Sequence, residues 1–266
     1  MQIDMQKKCS IITVNLNNKA GLERTILSVV NQTYQHIEYI IIDGASTDDS
    51  TTVIQDYSDH IDKCVSEPDN GVYHAMNKGI EMATGEYLLF LNSGDTFFEV
   101  TTIEKAIRYL QEVKTDLLYG DLRFDHGSFY EDFKYPDNIT FDFLYHRSLG
   151  HPATFIKRGL FEKLGYYDES YPICADWVFF TKAICLHTCS YKHLPFVIAI
   201  FATDGVSSLS GNAQKIEAER KRALKGPFKF LTEHYERYIN LKDRMDALRR
   251  SKPYRFLKFL RLPKYK

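Results

Sequence analysis

Apolar residues in the first hundred positions fall into short runs separated by amphipathic stretches. The runs at 10–16, 37–42 and 87–91 are rich in Ile, Val, Leu and Tyr, with lengths and compositions that fit strands covered on both faces of a sheet. A shorter one is expected near Cys64-Val65. Between them, 20–31 sets Leu22, Ile26, Val29 and Val30 on one helical face, and 72–82 keeps a helical period. A helix is also expected over 47–57, with Ser46 or Thr47 as N-cap and Asp48 and Asp49 in a first turn where the macrodipole favours acids. Strands alternating with helices predict a doubly wound α/β sheet. Ligands of such sheets bind beyond the carboxyl ends of the strands, here Asn15, Asp43, Glu67 and Asp95.

Beyond Val100 the pattern loosens. A helix is expected over 101–111, a strand over 117–124, strands at 154–156 and 196–201, and a helix around 177–186. The stretch 129–143 is aromatic and polar without a clear period, which suits a loop that selects an acceptor. Gly226-Pro227 breaks the chain, and helices follow, ending in 253–262, where Phe256, Leu257 and Leu260 share a face flanked by Arg255, Lys258 and Arg261.

The 266 residues are enough for one large domain with an appendage. No apolar run reaches bilayer-spanning length and no signal-peptide pattern opens the chain, so a cytoplasmic location is expected. Five scattered cysteines point to buried thiols rather than a disulfide framework, and Cys185, His187 and Cys189 lack a second ligand pair for zinc. Charge is unevenly spread: 17 Lys and Arg stand against 29 Asp and Glu up to Gln214, and 17 against 6 from Lys215 onward. An acidic body with a basic tail points to an anionic surface as partner; the acidic body argues against nucleic acid and for a membrane.

The run Glu86-Tyr-Leu-Leu-Phe-Leu-Asn-Ser-Gly-Asp95 ends a buried strand in an amide, a hydroxyl, a glycine and a carboxylate. Such an end can serve as a turn or can hold a divalent cation against a diphosphate. Dinucleotide-binding, P-loop and nucleophile-elbow motifs are absent, which sets aside dehydrogenases, P-loop ATPases and α/β-hydrolases.

Taken in order, Ser10-Ile-Ile-Thr-Val-Asn-Leu-Asn17, Gln32-Thr33, Ile41-Ile-Asp-Gly-Ala-Ser-Thr-Asp48, Ser66-Glu-Pro-Asp-Asn-Gly71, Ala75-Met-Asn-Lys-Gly79, Ala83-Thr-Gly-Glu86, Leu91-Asn-Ser-Gly-Asp95 and Ala175-Asp-Trp177 resemble glycosyltransferase family 2. These are inverting nucleotide-sugar transferases of GT-A fold, and the branch most like this chain builds bacterial capsule, exopolysaccharide or colanic-acid-type repeat units. The resemblance covers about residues 10–180. It implies that Asp43 accepts a hydrogen bond from a uracil ring, with Thr13 and Asn15 lining base and ribose and Asn92 and Ser93 completing the nucleotide loop. Asp95 corresponds to the last carboxylate of the family's metal motif and would hold Mg²⁺ or Mn²⁺. Asp176 corresponds to the general base, the alternative being a helix N-cap. His151 and Trp177 fall on the acceptor side. The chain departs from the family with Asn92 and Gly94 where many members have Asp, Met76 where many have a diphosphate-binding Arg, and Pro152 where most have Gln; Lys78 could replace the missing Arg.

The resemblance thus implies a GT-A domain over 1–225, with a nucleotide-binding half of about 1–100 and an acceptor half of about 101–225, followed by a basic helical tail over 226–266. The expected activity is non-processive, inverting transfer of a hexose or N-acetylhexosamine from a UDP-sugar to a glycan or lipid-linked acceptor, on the inner face of the plasma membrane. The rival readings are a nucleotidyltransferase and a sugar-nucleotide-binding protein without transfer activity.

Overall fold

The computed structural model describes residues 8–203, 205 and 210–259. Its elements run β1 (Cys9–Asn15), α1 (Lys19–Val30), β2 (Ile37–Asp43), α2 (Ser50–Asp56), β3 (Lys63–Ser66), α3 (Val72–Met82), β4 (Tyr87–Phe90), β5 (Thr96–Phe97) and α4 (Thr102–Glu112). The second half holds β6 (Leu117–Asp125), β7 (Tyr130–Phe133), α5 (Phe141–His146), β8 (Thr154–Lys157), α6 (Arg158–Leu164), α7 (Ala175–Thr181) and β9 (Tyr191–Ala202), then α8 (Ala213–Lys225), α9 (Lys229–Arg250) and α10 (Lys252–Phe259). The chain divides into two compact units, Met1–Glu219 and Arg220–Lys266.

One mixed sheet organises the first unit, in the order β3-β2-β1-β4-β8-β6-β9-β5, with β7 paired to β6. The strands β3, β2, β1 and β4 are parallel, as expected of a doubly wound half. The direction then reverses, since β8 runs antiparallel to both β4 and β6. β1 is buried along its whole length and β4 likewise, which explains their unbroken apolar runs. Helix α3 lies close on β1: a Cβ at Gly79 would stand 2.5 Å from Cγ2 of Ile12, so only glycine admits this approach.

At the amino end of β2, Glu38 locks three segments together. Its buried carboxylate accepts from Ser10 Oγ (2.6 Å), Thr84 N (2.7 Å) and Thr84 Oγ1 (2.8 Å) and pairs with Lys8 and Lys63 at 3.1 and 3.0 Å. Burial opposes its charge, but these donors outweigh it and hold the group far below the usual carboxylate range.

Several expectations need correction. The helix expected over 47–57 starts only at Ser50; Asp49 is the cap residue, in the left-handed region at φ 62°, and no acidic residue lies in the first turn. Residues 46–48 instead hydrogen-bond Asp43, Asn17 and Lys19. The segment 129–143 contains an edge strand, β7, antiparallel to β6, and the start of α5. The helix around Trp177 is α-helical only to Thr181 and continues as a π-helical turn, Lys182–Leu186. Cys64 is exposed; Cys9, Cys174 and Cys189 are buried, and none of the five cysteines forms a disulfide. The face of Phe256, Leu257 and Leu260 falls outside the described side chains.

Candidate active site

Adjacent parallel strands in register place Asn15 opposite Asp43 and Asp43 opposite Ser66. Asp43 is completely buried, and its carboxylate accepts four hydrogen bonds: Asn15 Nδ2 (2.8 Å) and Ser46 Oγ (2.5 Å) on Oδ1, Ser66 Oγ (2.7 Å) and Ser46 N (3.0 Å) on Oδ2. Burial opposes the charge, but these neutral donors prevail and lower its pKa below the usual value. A carboxylate has about four acceptor positions, and all are filled. A ligand N–H reaches Asp43 by replacing a serine hydroxyl, most readily that of Ser66, since Ser46 Oγ also accepts from Asn15 Nδ2 and Asn17 N.

Asn15 shows a second feature. Its Nδ2 must face Asp43 and Ser46, which fixes the amide orientation and leaves Oδ1 buried with no partner. Asn92 Oδ1, beyond the end of neighbouring β4, is also buried and partnerless. Each orphaned acceptor costs on the order of 1–3 kcal/mol. Ser93 joins this edge through its N–H to Val14 O at 3.1 Å, and Asn18 Nδ2 donates to Ser93 O. Thr13, by contrast, is fully buried below the edge, with its hydroxyl on Leu91 O and against Tyr39 Oη. It packs under the site rather than lining it, a correction to its expected role beside base and ribose.

The loop carrying Asp95 is pinned by Thr25 of α1, a residue that the sequence did not single out. Its hydroxyl accepts from Gly94 N (3.0 Å) and donates to Asp95 O (2.7 Å), while Gly94 takes φ 108°, a backbone that glycine adopts without strain. Asp95 is buried and its Oδ1 accepts from Ala202 N at 3.0 Å. Among the described residues no cluster of three His, Cys, Asp or Glu is placed to hold a metal. Oxygen donors at this end include the Asp95 carboxylate and the orphaned Asn92 amide oxygen, hard donors of the kind that suit Mg²⁺ or Mn²⁺ when phosphate and water supply the other ligands.

Helix α3 connects this edge to the second cluster. Near its start, His74 contacts Asp69 (3.2 Å), and Lys78 pairs with Asp69 and Glu67 at 2.6 and 2.7 Å. Lys78 is thus held by two carboxylates of the preceding loop, from which a diphosphate would have to draw it. Asp69 in turn lies beside Gly44, where an added Cβ would meet its Oδ2 at 3.3 Å.

On the same helix, Tyr73 Oη lies 2.7 Å from Asp176 Oδ1 and 2.8 Å from Ile173 O. Asp176 sits in the first turn of α7, but Cys174 is the cap residue and no side chain makes a cap bond, so the carboxylate is not an N-cap. His151 Nδ1 is 3.7 Å from Asp176 Oδ2, and its Nε2 is 3.1 Å from Tyr167 Oη, inside a cage of Tyr73, Phe90, Tyr167 and Phe180. Burial pushes the His151 imidazole below its ordinary pKa, with Asp176 opposing, so the ring is neutral near pH 7. Burial and the Asp176 charge push the Tyr73 phenol far up, so it keeps its proton. Asn77 ties α3 to this side through Tyr167 N and O and Glu169. Trp177 is buried with its indole N–H on Leu144 O (2.6 Å), which makes it a support for α7 and corrects its expected contact with an acceptor.

The phenol of Tyr73 has one hydrogen and two acceptors. While Asp176 is ionised, the hydrogen belongs on the charged oxygen, the stronger acceptor. Once the carboxyl is protonated on Oδ2, Oδ1 becomes a weaker acceptor, and the hydrogen can turn to Ile173 O. Tyr73 was missed in the sequence because an aromatic at helical spacing reads as core, and its partner lies 103 residues further on.

Comparison with solved structures bears on the fold. S. aureus TarS 1–349 superposes with a TM-score of 0.62 at 19% identity, covering 74% of this chain and 60% of that one. The mannosyltransferase PcManGT from Pyrobaculum calidifontis, in complex with GDP-Man and Mn²⁺, gives 0.59 at 17% identity over 94% and 82% of the two chains. The fold is that of these transferases, the GT-A type of mixed sheet flanked by helices. The family model for glycosyl transferase family 2 matches residues 10–167, and a "PGL/p-HBAD biosynthesis glycosyltransferase" of Mycobacterium bovis (strain BCG / Pasteur 1173P2) is 30% identical over 197 residues, 72% of this chain and 75% of that protein. The chain belongs to glycosyl transferase family 2.

Proposed function

We propose that this protein transfers a single hexose or N-acetylhexosamine from a UDP-sugar, with inversion, to a glycan or lipid-linked acceptor in surface-polysaccharide synthesis. The observation that carries the reading is the pair of buried, partnerless amide oxygens, Asn15 Oδ1 and Asn92 Oδ1, at the ends of neighbouring strands beside Asp43 and Asp95. Buried acceptors without partners suit incoming donors or a cation: ribose hydroxyls for Asn15 Oδ1, and the divalent ion beside Asp95 for Asn92 Oδ1. The solved relatives support the donor class, since TarS has been crystallised with UDP-GlcNAc and PcManGT with GDP-Man and Mn²⁺. The names of the sequence relatives support the pathway class: one serves PGL/p-HBAD biosynthesis, another, from Bacillus subtilis, putatively teichuronic acid biosynthesis.

In this reading Asp176 is the general base. The acceptor hydroxyl forms its bond to the anomeric carbon as the bond from that carbon to the diphosphate breaks; the hydroxyl proton passes to Asp176, and UDP departs. Tyr73 holds one carboxylate oxygen and leaves Oδ2 for that proton. Asp95 and Asn92 would hold a divalent cation, which when bound stabilises the leaving diphosphate as a Lewis acid. Asp43 and Asn15 take the base, with a serine hydroxyl giving way to the ring N–H. The basic C-terminal region places the enzyme on the cytoplasmic face of an anionic membrane, where lipid-linked acceptors reside. No described helix is long and apolar enough to cross a membrane.

Incubation with radiolabelled UDP-sugars, a lipid-linked acceptor and Mn²⁺ tests the proposal. Label in the acceptor with inverted anomeric configuration supports it. Tight UDP-sugar binding without transfer or hydrolysis would leave a sugar-nucleotide-binding protein, a reading that the small metal-ligand set favours.

A further inference from the structure

Helix α9 carries an exposed apolar stripe. Phe230, His234, Tyr238, Leu241, Met245 and Leu248 follow one another at spacings of four, four, three, four and three residues. At 100° per residue they occupy a stripe about 80° wide. The five apolar members are 52–70% exposed, far more than side chains packed in a core. Flanking the stripe are Arg237 and Arg244 on one side and Lys242 and Arg249 on the other. The acids Glu236, Asp243 and Asp246 lie toward the opposite face, and Glu233, paired with Lys229 at 3.9 Å, lies just outside the Arg237 and Arg244 flank. The helix thus presents an apolar line with cations nearest to it on both sides and the anions further round.

Charge decides between two occupants. A second copy docked along the same seam would bring the four flanking cations of each helix against those of its partner, since these positions face one another in paired helices. An anionic lipid surface satisfies both parts of the pattern, with the apolar line in the acyl boundary and the Arg and Lys heads among the phosphates. We infer that α9 lies in the surface of an anionic bilayer, with Tyr238, Leu241, Met245 and Leu248 inserted and Arg237, Lys242, Arg244 and Arg249 at the headgroups. This deepens the membrane part of the proposed function by naming the element that makes contact, upstream of the last basic residues.

The test uses the full chain with vesicles of phosphatidylglycerol and phosphatidylcholine, and with vesicles of phosphatidylcholine alone. Wild type should sediment with the first and far less with the second. The triple variant Leu241→Gln, Met245→Gln and Leu248→Gln keeps every charge and should partition at least about 10-fold more weakly, through loss of inserted apolar area. As an independent readout, Leu241→Trp should give a blue-shifted emission on anionic vesicles that Glu236→Trp does not. Wild-type partitioning by the triple variant, with no blue shift at 241, would overturn the inference and leave membrane attachment to the basic tail. No sedimentation of wild type with either vesicle would overturn both the inference and the membrane part of the proposed function. A dimer in sedimentation velocity that the triple variant abolishes, without vesicle binding, would overturn it in favour of a second copy.

Discussion

The two ends of β2 carry the same functional group in opposite settings. Glu38 and Asp43, about 17 Å apart along the strand, are both buried carboxylates with depressed pKa values. Glu38 is met by two lysines, a serine and Thr84, and every one of those partners is structural. Among the described residues no cation lies within ion-pair distance of Asp43; the donors on it are neutral, and an orphaned amide oxygen lies in the residue beside it. A charge neutralised in place closes an end of the sheet. A charge held by two hydroxyls, a side-chain amide and one backbone N–H, without a cation, leaves the other end able to exchange a hydroxyl for a ligand donor. Burial and pKa alone do not tell a structural carboxylate from a site carboxylate; the chemistry of its partners does.

The largest expected effect lies in the cluster across α3. Asp176→Asn should lower transfer by about 10²- to 10⁴-fold while donor binding and melting temperature hold, because the carboxylate makes no cap bond. Single-turnover assays alongside calorimetry with UDP check this, and transfer near the wild-type rate would remove the base assignment.

At the structural end of β2, Glu38→Gln should reduce stability by about 2–3 kcal/mol, since Lys8 and Lys63 lose their counter-charge and remain partly solvated. Glu38 has a folded pKa below its unfolded value, so its contribution is complete above about pH 4.3 and is lost as pH falls below that. Urea titrations across acid pH should show wild type losing stability there more steeply than the variant; parallel curves would contradict the lock.

Tyr73→Phe removes a charge-assisted hydrogen bond from Asp176. The carboxylate is then held less firmly toward the acceptor, and kcat should fall by about 5- to 10-fold, with the KM for donor unchanged. An unchanged kcat would show that the phenolic hydrogen rests on Ile173 O. The smallest effect is expected from Lys78→Ala, which breaks two ion pairs in the loop before α3 and should weaken UDP binding less than about 5-fold. A loss of 100-fold would return Lys78 to the diphosphate.

Much of this was legible in the sequence where local rules and tertiary packing agree. Unbroken apolar runs announced β1, β2 and β4, and α3 occupies the expected residues because its apolar period meets β1 at Gly79. The start of α2 was misread because Ser46 and Thr47, good caps by composition, are drawn instead to Asp43 and Asn17, and Asp48 to Lys19 and Ser50. β7 was hidden because an exposed edge strand has no buried face to impose alternation. The proposed site carboxylates Asp43 and Asp176 could be singled out from motifs, whereas Tyr73 and Thr25 touch partners distant in sequence, which no local pattern reveals.

The contrast between the ends of β2 is tested most directly by calorimetry of UDP binding to Asp43→Asn and Glu38→Gln, each checked for folding by its thermal melt. Asp43→Asn should stay folded and lose at least about 10-fold in affinity, as expected when a charged acceptor is exchanged for an amide. Glu38→Gln should melt earlier and bind UDP as wild type does. Undiminished binding by a folded Asp43→Asn protein, or loss of binding confined to Glu38→Gln, would contradict the assignment of the carboxyl end of β2 to the donor.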